Sequence, residues 1–144
     1  MTKISLERLN TLDQADFVAA LDGIFEGPPW IVTEAWQSRP FSSVDDLYSA
    51  LCRVMYAASS ERKVALIQAH PDLVGRAART GTLGPASTAE QAAAGLNDLT
   101  ADEIAAFERR NAEYQQRFGF PFVICARENK KESILAGFAA RMDN

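Results

Sequence analysis

The chain has 144 residues, a length suited to one domain with a proper core, and its 47% hydrophobic against 24% charged residues is the balance of an ordinary globular protein. A formal net charge of −4 excludes a broad basic surface and so argues against nucleic-acid and anionic-membrane partners. No apolar run approaches the ~20 residues that span a bilayer, and one histidine with two distant cysteines, Cys52 and Cys125, offers no metal-ligand spacing.

The opening residues MTKISLERLN lack the apolar core of a signal peptide, and the closing Ala140-Arg141-Met142-Asp143-Asn144 is no peroxisomal tripeptide. The expectation is a cytoplasmic protein whose two thiols are free.

The pattern is helical nearly throughout. Thr11-Leu12-Asp13-Gln14 reads as a capping box ahead of Phe17, Val18, Leu21, Ile24 and Phe25, which recur at helical spacing. Gly27-Pro28-Pro29 breaks the chain, and Pro29 suits the first turn of a short helix carrying Ile31 and Trp36. Arg39-Pro40 ends that segment. Ser43 and Asp46 open the next helix, with Leu47, Leu51, Val54, Met55 and Ala58 on its apolar face. A further helix starts at Ser59 or Ser60 and runs through Val64 and Ile67 to His70-Pro71. Proline disfavours helical geometry in the residue before it, so a boundary belongs at His70.

Arg79 to Ala86, with two glycines, two threonines and a proline, reads as a loop. Ser87 to Ala94 reads as a short helix stopped by Gly95. Thr100 to Phe118 is the longest helix, with Ile104, Phe107 and Tyr114 along one side and Gly119 as its terminator. Phe120 to Cys125 is apolar and reads as a buried extended connector. The last helix uses Ile134, Leu135, Phe138 and Met142. No repeat or linker interrupts the chain, and the reading is all-α: a single compact multi-helix domain over residues 1–144.

Three segments stand out chemically. His70 is the one imidazole in the chain, and imidazole alone titrates near neutral pH without perturbation. A helix-end histidine is also what the negative end of a helix dipole favours. Ser87-Thr88-Ala89-Glu90-Gln91 has capping-box spacing, and a helix start is also an anion site at which Ser87, Glu90 and Gln91 offer hydrogen bonds. In Phe118 to Arg127, three phenylalanines speak for core packing. The extended peptide groups need partners, however, and Arg127 suits either a ligand carboxylate or a surface acid. A Cys125–His70 nucleophile pair is conceivable, though nothing in the sequence brings the two together.

Taken together, LIQAHPDL at 66–73, STAEQAAAGL at 87–96 and FGFPFVICAR at 118–127 resemble one family, the 2-oxo-4-hydroxy-4-carboxy-5-ureidoimidazoline (OHCU) decarboxylases of urate breakdown. Pro29-Trp30 and Arg39-Pro40-Phe41 extend the resemblance over nearly the whole chain. Glu26-Gly27-Pro28-Pro29-Trp30 departs from it, lacking the serine usual before Pro-Trp.

The resemblance implies an all-α, cofactor-independent carboxy-lyase, commonly a homodimer, that converts OHCU to (S)-allantoin and CO2. It implies His70 as catalytic acid/base with Pro71 at the ligand. It implies Ser87, Thr88, Ala89, Glu90 and Gln91 as substrate contacts, and among these Glu90 is expected to be a second catalytic group that orients the substrate hydroxyl or His70. Phe122, Val123, Ile124, Cys125 and Ala126 would contribute largely main-chain contacts, with Arg127 beside them. No metal, nucleic acid or membrane is implied. Two other readings remain at this point: a non-catalytic helical binding module, and a Cys–His hydrolase acting on a related ureide.

Overall fold

The computed structural model describes residues 3–25, 27–75 and 85–144. Every regular element among them is helical. They are α1 (Leu6–Leu9), α2 (Gln14–Ala20), α3 (Trp30–Ala35), α4 (Val44–Ala57), α5 (Ser60–Gln68), α6 (Pro85–Ala93), α7 (Ala101–Phe118) and α8 (Lys131–Arg141), with 3₁₀ turns at Trp36–Ser38 and Ala126–Glu128. None of the described helices is long and apolar enough to cross a membrane. By its contacts the chain divides into two compact units, Met1–Leu66 and Ile67–Asn144, each with its own core.

In the first unit, α2, α3 and α4 bury Phe17, Ile31, Val32, Ala35, Leu47, Ala50 and Leu51. The cap of α2 falls two residues later than the Thr11 box implies. Asp13 caps the helix by accepting from the Asp16 amide at 2.8 Å, while the Thr11 hydroxyl donates back to Arg8 O and closes α1. Both residues are good caps, and the winner is the one whose backbone is extended where the amides need it. Ser43 caps α4 as expected, at 3.0 Å from the Asp46 amide. The α3–α4 loop is held by side chains. The Asn10 amide grips both polar groups of Phe41, and Arg39 reaches the carbonyls of Asn10, Leu12 and Trp36 while stacking on the Trp36 ring.

In the second unit, α7 and α8 pack together around Phe107, Tyr114, Phe122, Ile134 and Phe138. Thr100 caps α7 through the Glu103 amide, and Gly119, with φ +78, ends the helix. Gln91 and Ala92 carbonyls accept from Leu96 and Gly95, the paired bonds of a Schellman turn, so Gly95 does stop α6. Phe122 stacks on Phe138 with ring centroids 4.0 Å apart, and Tyr114 meets Phe122 edge-on at 5.3 Å. Gly137 permits that approach, because a Cβ there would come within 3.1 Å of the Phe122 ring.

An ion pair between Lys131 and Glu103, 2.7 Å long, ties the starts of α7 and α8. The Lys131 hydrogen bond holds the Glu103 carboxyl below its ordinary range, so this contribution is present at neutral pH and is lost as acid titrates the carboxylate.

The second core makes one prediction. Phe138 is fully buried among three aromatic partners, Phe107, Tyr114 and Phe122. Phe138→Ala should therefore cost about 3–5 kcal/mol, the range for emptying a buried phenylalanine site. Urea unfolding followed by circular dichroism measures it, and a loss under about 1 kcal/mol would mean that the aromatic cluster is not the core of this unit.

Candidate active site

The site begins where α5 ends. The helix stops at Gln68, and the His70 amide still bonds Ile67 O at 3.1 Å before Pro71 turns the chain away. His70 therefore stands just past a helix end, as the His-Pro junction implies. Asp72 to Gly75 then form a tight turn closed by the Gly75 amide on Asp72 O at 3.2 Å. Gly75 is required there, since a Cβ would lie 2.8 Å from that of Asp72.

Val74 in this turn has φ +56, a conformation that costs a β-branched residue of order 1–3 kcal/mol. Two buried side chains hold it. The Gln91 carbonyl oxygen accepts from the Val74 amide at 3.1 Å, and the Asn111 amide donates to Leu73 O at 2.8 Å.

A small, partly open cleft lies beside this turn, lined entirely by residues of the second unit. His70, Pro71 and Leu73 form one wall, and Ser87, Glu90 and Gln91 of α6 another. Phe122, Val123, Ile124 and Ala126 form the third. The α6 residues follow helical spacing: positions 87, 90 and 91 share a face, so Thr88 and Ala89 point elsewhere and are exposed. The cleft thus combines one imidazole, a carboxylate, a hydroxyl and an amide with apolar walls, a mixture that suits a small polar ligand.

The structure brings His70, Pro71, Ser87, Glu90, Gln91, Phe122, Val123, Ile124 and Ala126 together and leaves Thr88, Ala89, Cys125 and Arg127 outside the cleft walls. Cys125 and Arg127 are exposed, Arg127 within the 3₁₀ turn at Ala126–Glu128. The connector is buried at Pro121 and Phe122 but exposed at Val123 and Cys125. Two of its carbonyls are met by protein side chains: Val123 O accepts from Arg141 at 2.6 Å, and Cys125 O from Asn129 at 2.9 Å.

The Ser87 cap is corrected. Helix α6 starts at Pro85, which makes Ser87 its third residue and puts Thr88 and Ala89 beyond the amides that a helix start leaves unpaired. Of the loop expected at 79–86, residues 79–84 lie outside the described ones and Pro85 and Ala86 are helical. Glu26, part of the departure before Pro29-Trp30, also lies outside the described residues.

Sequence reasoning missed Leu73 and Asn111. The signal for Asn111 was present: it interrupts the apolar stripe Ile104, Phe107, Tyr114 at a core position, where a polar residue needs a specific partner.

A sequence profile described as OHCU decarboxylase matches residues 10–144. The 2-oxo-4-hydroxy-4-carboxy-5-ureidoimidazoline decarboxylase of Haloferax volcanii is 42% identical over 144 residues, which is all of this chain and 83% of that protein. The protein of that name from Amia calva is 37% identical over 141 residues, 98% of this chain and 81% of its own. A uric acid degradation bifunctional protein from a Bacillus species is 35% identical over 139 residues, 96% of this chain but 27% of that protein. Among solved structures, an (S)-allantoin synthase shares the fold with a TM-score of 0.71 at 23% identity, over 99% of this chain. This chain spans 45% of that one. The chain belongs to the OHCU decarboxylase family, and its class is that of the carboxy-lyases.

Burial pushes the Asp72 carboxyl above its ordinary range. A folded state that favours the protonated acid loses stability as pH rises through the interval between the ordinary and the raised value. Asp72→Asn removes that loss, so its stability relative to wild type should grow with pH across this interval and level off above it. Denaturant titrations at several pH values measure the difference, and one that shrinks with pH would reverse the sign.

Proposed function

We propose that this protein decarboxylates OHCU to (S)-allantoin and CO2 in urate breakdown, with His70 as general acid/base. The observation that carries the reading is the cleft in which His70, Ser87, Glu90 and Gln91 meet over apolar walls, in a chain of this family.

The substrate's chemistry supports a reaction without a cofactor. OHCU has an imine carbon next to the carbon that bears hydroxyl and carboxylate. When the bond to the carboxylate breaks, CO2 leaves and the electron pair enters the imine. The imine nitrogen and the former imine carbon must then each gain a proton, while the hydroxyl loses its own to become the carbonyl of allantoin, a net uptake of one proton from solvent.

The protein's tasks are to hold the carboxylate bond out of the ring plane and to move one proton on one face. His70 is the group for that transfer, the imidazole that stands in the cleft wall opposite Glu90 and Ser87 of α6. Glu90 orients the hydroxyl or the imidazole, while Ser87 and Gln91 present hydrogen-bonding groups to ring and ureido atoms. Val123 and Ile124 offer apolar surface beside the main chain, and Phe122 and Ala126 form the buried floor. The backbone contact carried onto Cys125, and Arg127, Thr88 and Ala89, would act from outside the cleft walls. The thiol's position there disfavours a Cys–His hydrolase.

Residues 1–144 act as one catalytic domain, supported by a profile that runs across both units. The setting is cytoplasmic. The active form is a homodimer, for which the exposed Val44, Tyr48 and Tyr56 on α4 offer apolar surface.

General acid–base help is worth about 100- to 10,000-fold. His70→Asn should therefore lose at least about 100-fold in turnover while folding normally. Purified protein mixed with freshly generated OHCU, without added cofactor, should yield one allantoin enantiomer within the first minutes by circular dichroism. A slow racemic product from wild type, or near-normal turnover in His70→Asn, would overturn the assignment.

A further inference from the structure

The turn that follows His70-Pro71 along the cleft has an unfavourable residue in its third position. Asp72-Leu73-Val74-Gly75 is closed by an i to i+3 hydrogen bond. Val74 has positive φ while Leu73 does not, which is the arrangement of a type II turn. Type II turns ask for glycine or asparagine at that position, and a valine relaxes to type I, which differs by a flip of the central peptide. In this turn the central peptide is the Leu73–Val74 unit.

That peptide group is held at both ends. Its carbonyl, Leu73 O, accepts from the Asn111 side-chain amide at 2.8 Å, and its N–H, on Val74, donates to Gln91 Oε1 at 3.1 Å. Both side chains are more than nine-tenths buried, Asn111 at 7% exposure and Gln91 at 4%. A flip would turn the carbonyl away from its only donor here and point the N–H away from its acceptor, inside the core. Unmade buried bonds cost about 1–3 kcal/mol each, enough to outweigh the strain at Val74.

Asn111 lies on α7 and is not a wall of the cleft, whereas Gln91 is both a wall and a clamp. Asn111 Oδ1 has no hydrogen-bond partner among the described residues, so the bond to Leu73 is the polar contact the structure gives this side chain.

We infer that Asn111 is a positioning residue for the reaction: with Gln91 it locks the Leu73–Val74 peptide in its flipped orientation and thereby sets where His70 and Pro71 stand in the cleft. The inference rests on the reading of His70 as the acid/base. Its readout does not, because His70 is the only histidine in the chain and its imidazole proton signals need no assignment.

Asn111→Leu keeps the volume and removes the donor. The expected result is a folded protein whose His70 signals shift or broaden, with kcat down about ten- to hundredfold, as a misplacement of about 1 Å produces, and KM changed far less. A folded variant with kcat within about twofold of wild type would overturn the inference. So would a fall in kcat or Tm with the His70 signals unmoved, which marks a merely structural residue.

Should Asn111→Leu not fold, Asn111→Asp decides. Its carboxyl donates to Leu73 O only when protonated, so its His70 signals should match wild type at acid pH and depart from it as pH rises. A match at every pH overturns the proposal. If His70→Asn retains turnover while the His70 signals move in Asn111→Leu, the catalytic reading of His70 fails and the positioning by Asn111 stands.

Discussion

One peptide group, between Leu73 and Val74, is where the second unit's chain segments are tied together. The segment leaving α5, the inner face of α6 and the buried stripe of α7 all meet at its carbonyl and its amide. The turn it belongs to is strained at Val74 and crowded at Gly75, so its own backbone does not favour it. Two side-chain amides supply the difference. Because they come from helices with separate packing, the turn inherits the rigidity of the core rather than the freedom of a loop.

The same device recurs at other irregular segments of the described chain. Asn10 bonds both polar groups of Phe41 in the first unit, and Arg39 serves three carbonyls nearby. In the second unit Arg141 and Asn129 serve the connector, Gln68 the carbonyl of Gly119, and Lys130 that of Ala93. An all-α protein has no sheet to absorb the peptide groups of its irregular segments. Long polar side chains do that work instead, and each leaves a connection with a defined path.

On the function proposed above, a defined path is what the reaction needs from the protein. When a substrate supplies its own electron sink, the enzyme's contribution is geometry: a carboxylate held at the right angle and a proton delivered to one face. The cleft places its imidazole next to a clamped turn, its hydroxyl and carboxylate on a helix face, and its apolar wall on the aromatic core. Polar groups on stiff supports within an apolar surround are the means by which such a site controls orientation.

Much of this was legible in the residues. Helical periodicity gave the all-α class and most elements, Thr100, Ser43 and Gly95 marked their ends, and Pro71 marked the break after His70. These are local effects, settled within four or five residues of chain. Local cues misplaced the starts of α2 and α6: Thr11 and Asp13 are both competent caps, and Pro85 suits a first helical position as well as Ser87 suits a cap.

The sequence by itself determined the helices, the break at His70 and, through three spaced motifs, the family. Tertiary structure alone decided which motif residues face one another: Ser87, Glu90 and Gln91 inward, Thr88, Ala89, Cys125 and Arg127 not. It alone gave Asn111 and Gln91 their common target, since a polar residue in an apolar stripe announces a need for a partner but its spacing along the chain does not name one.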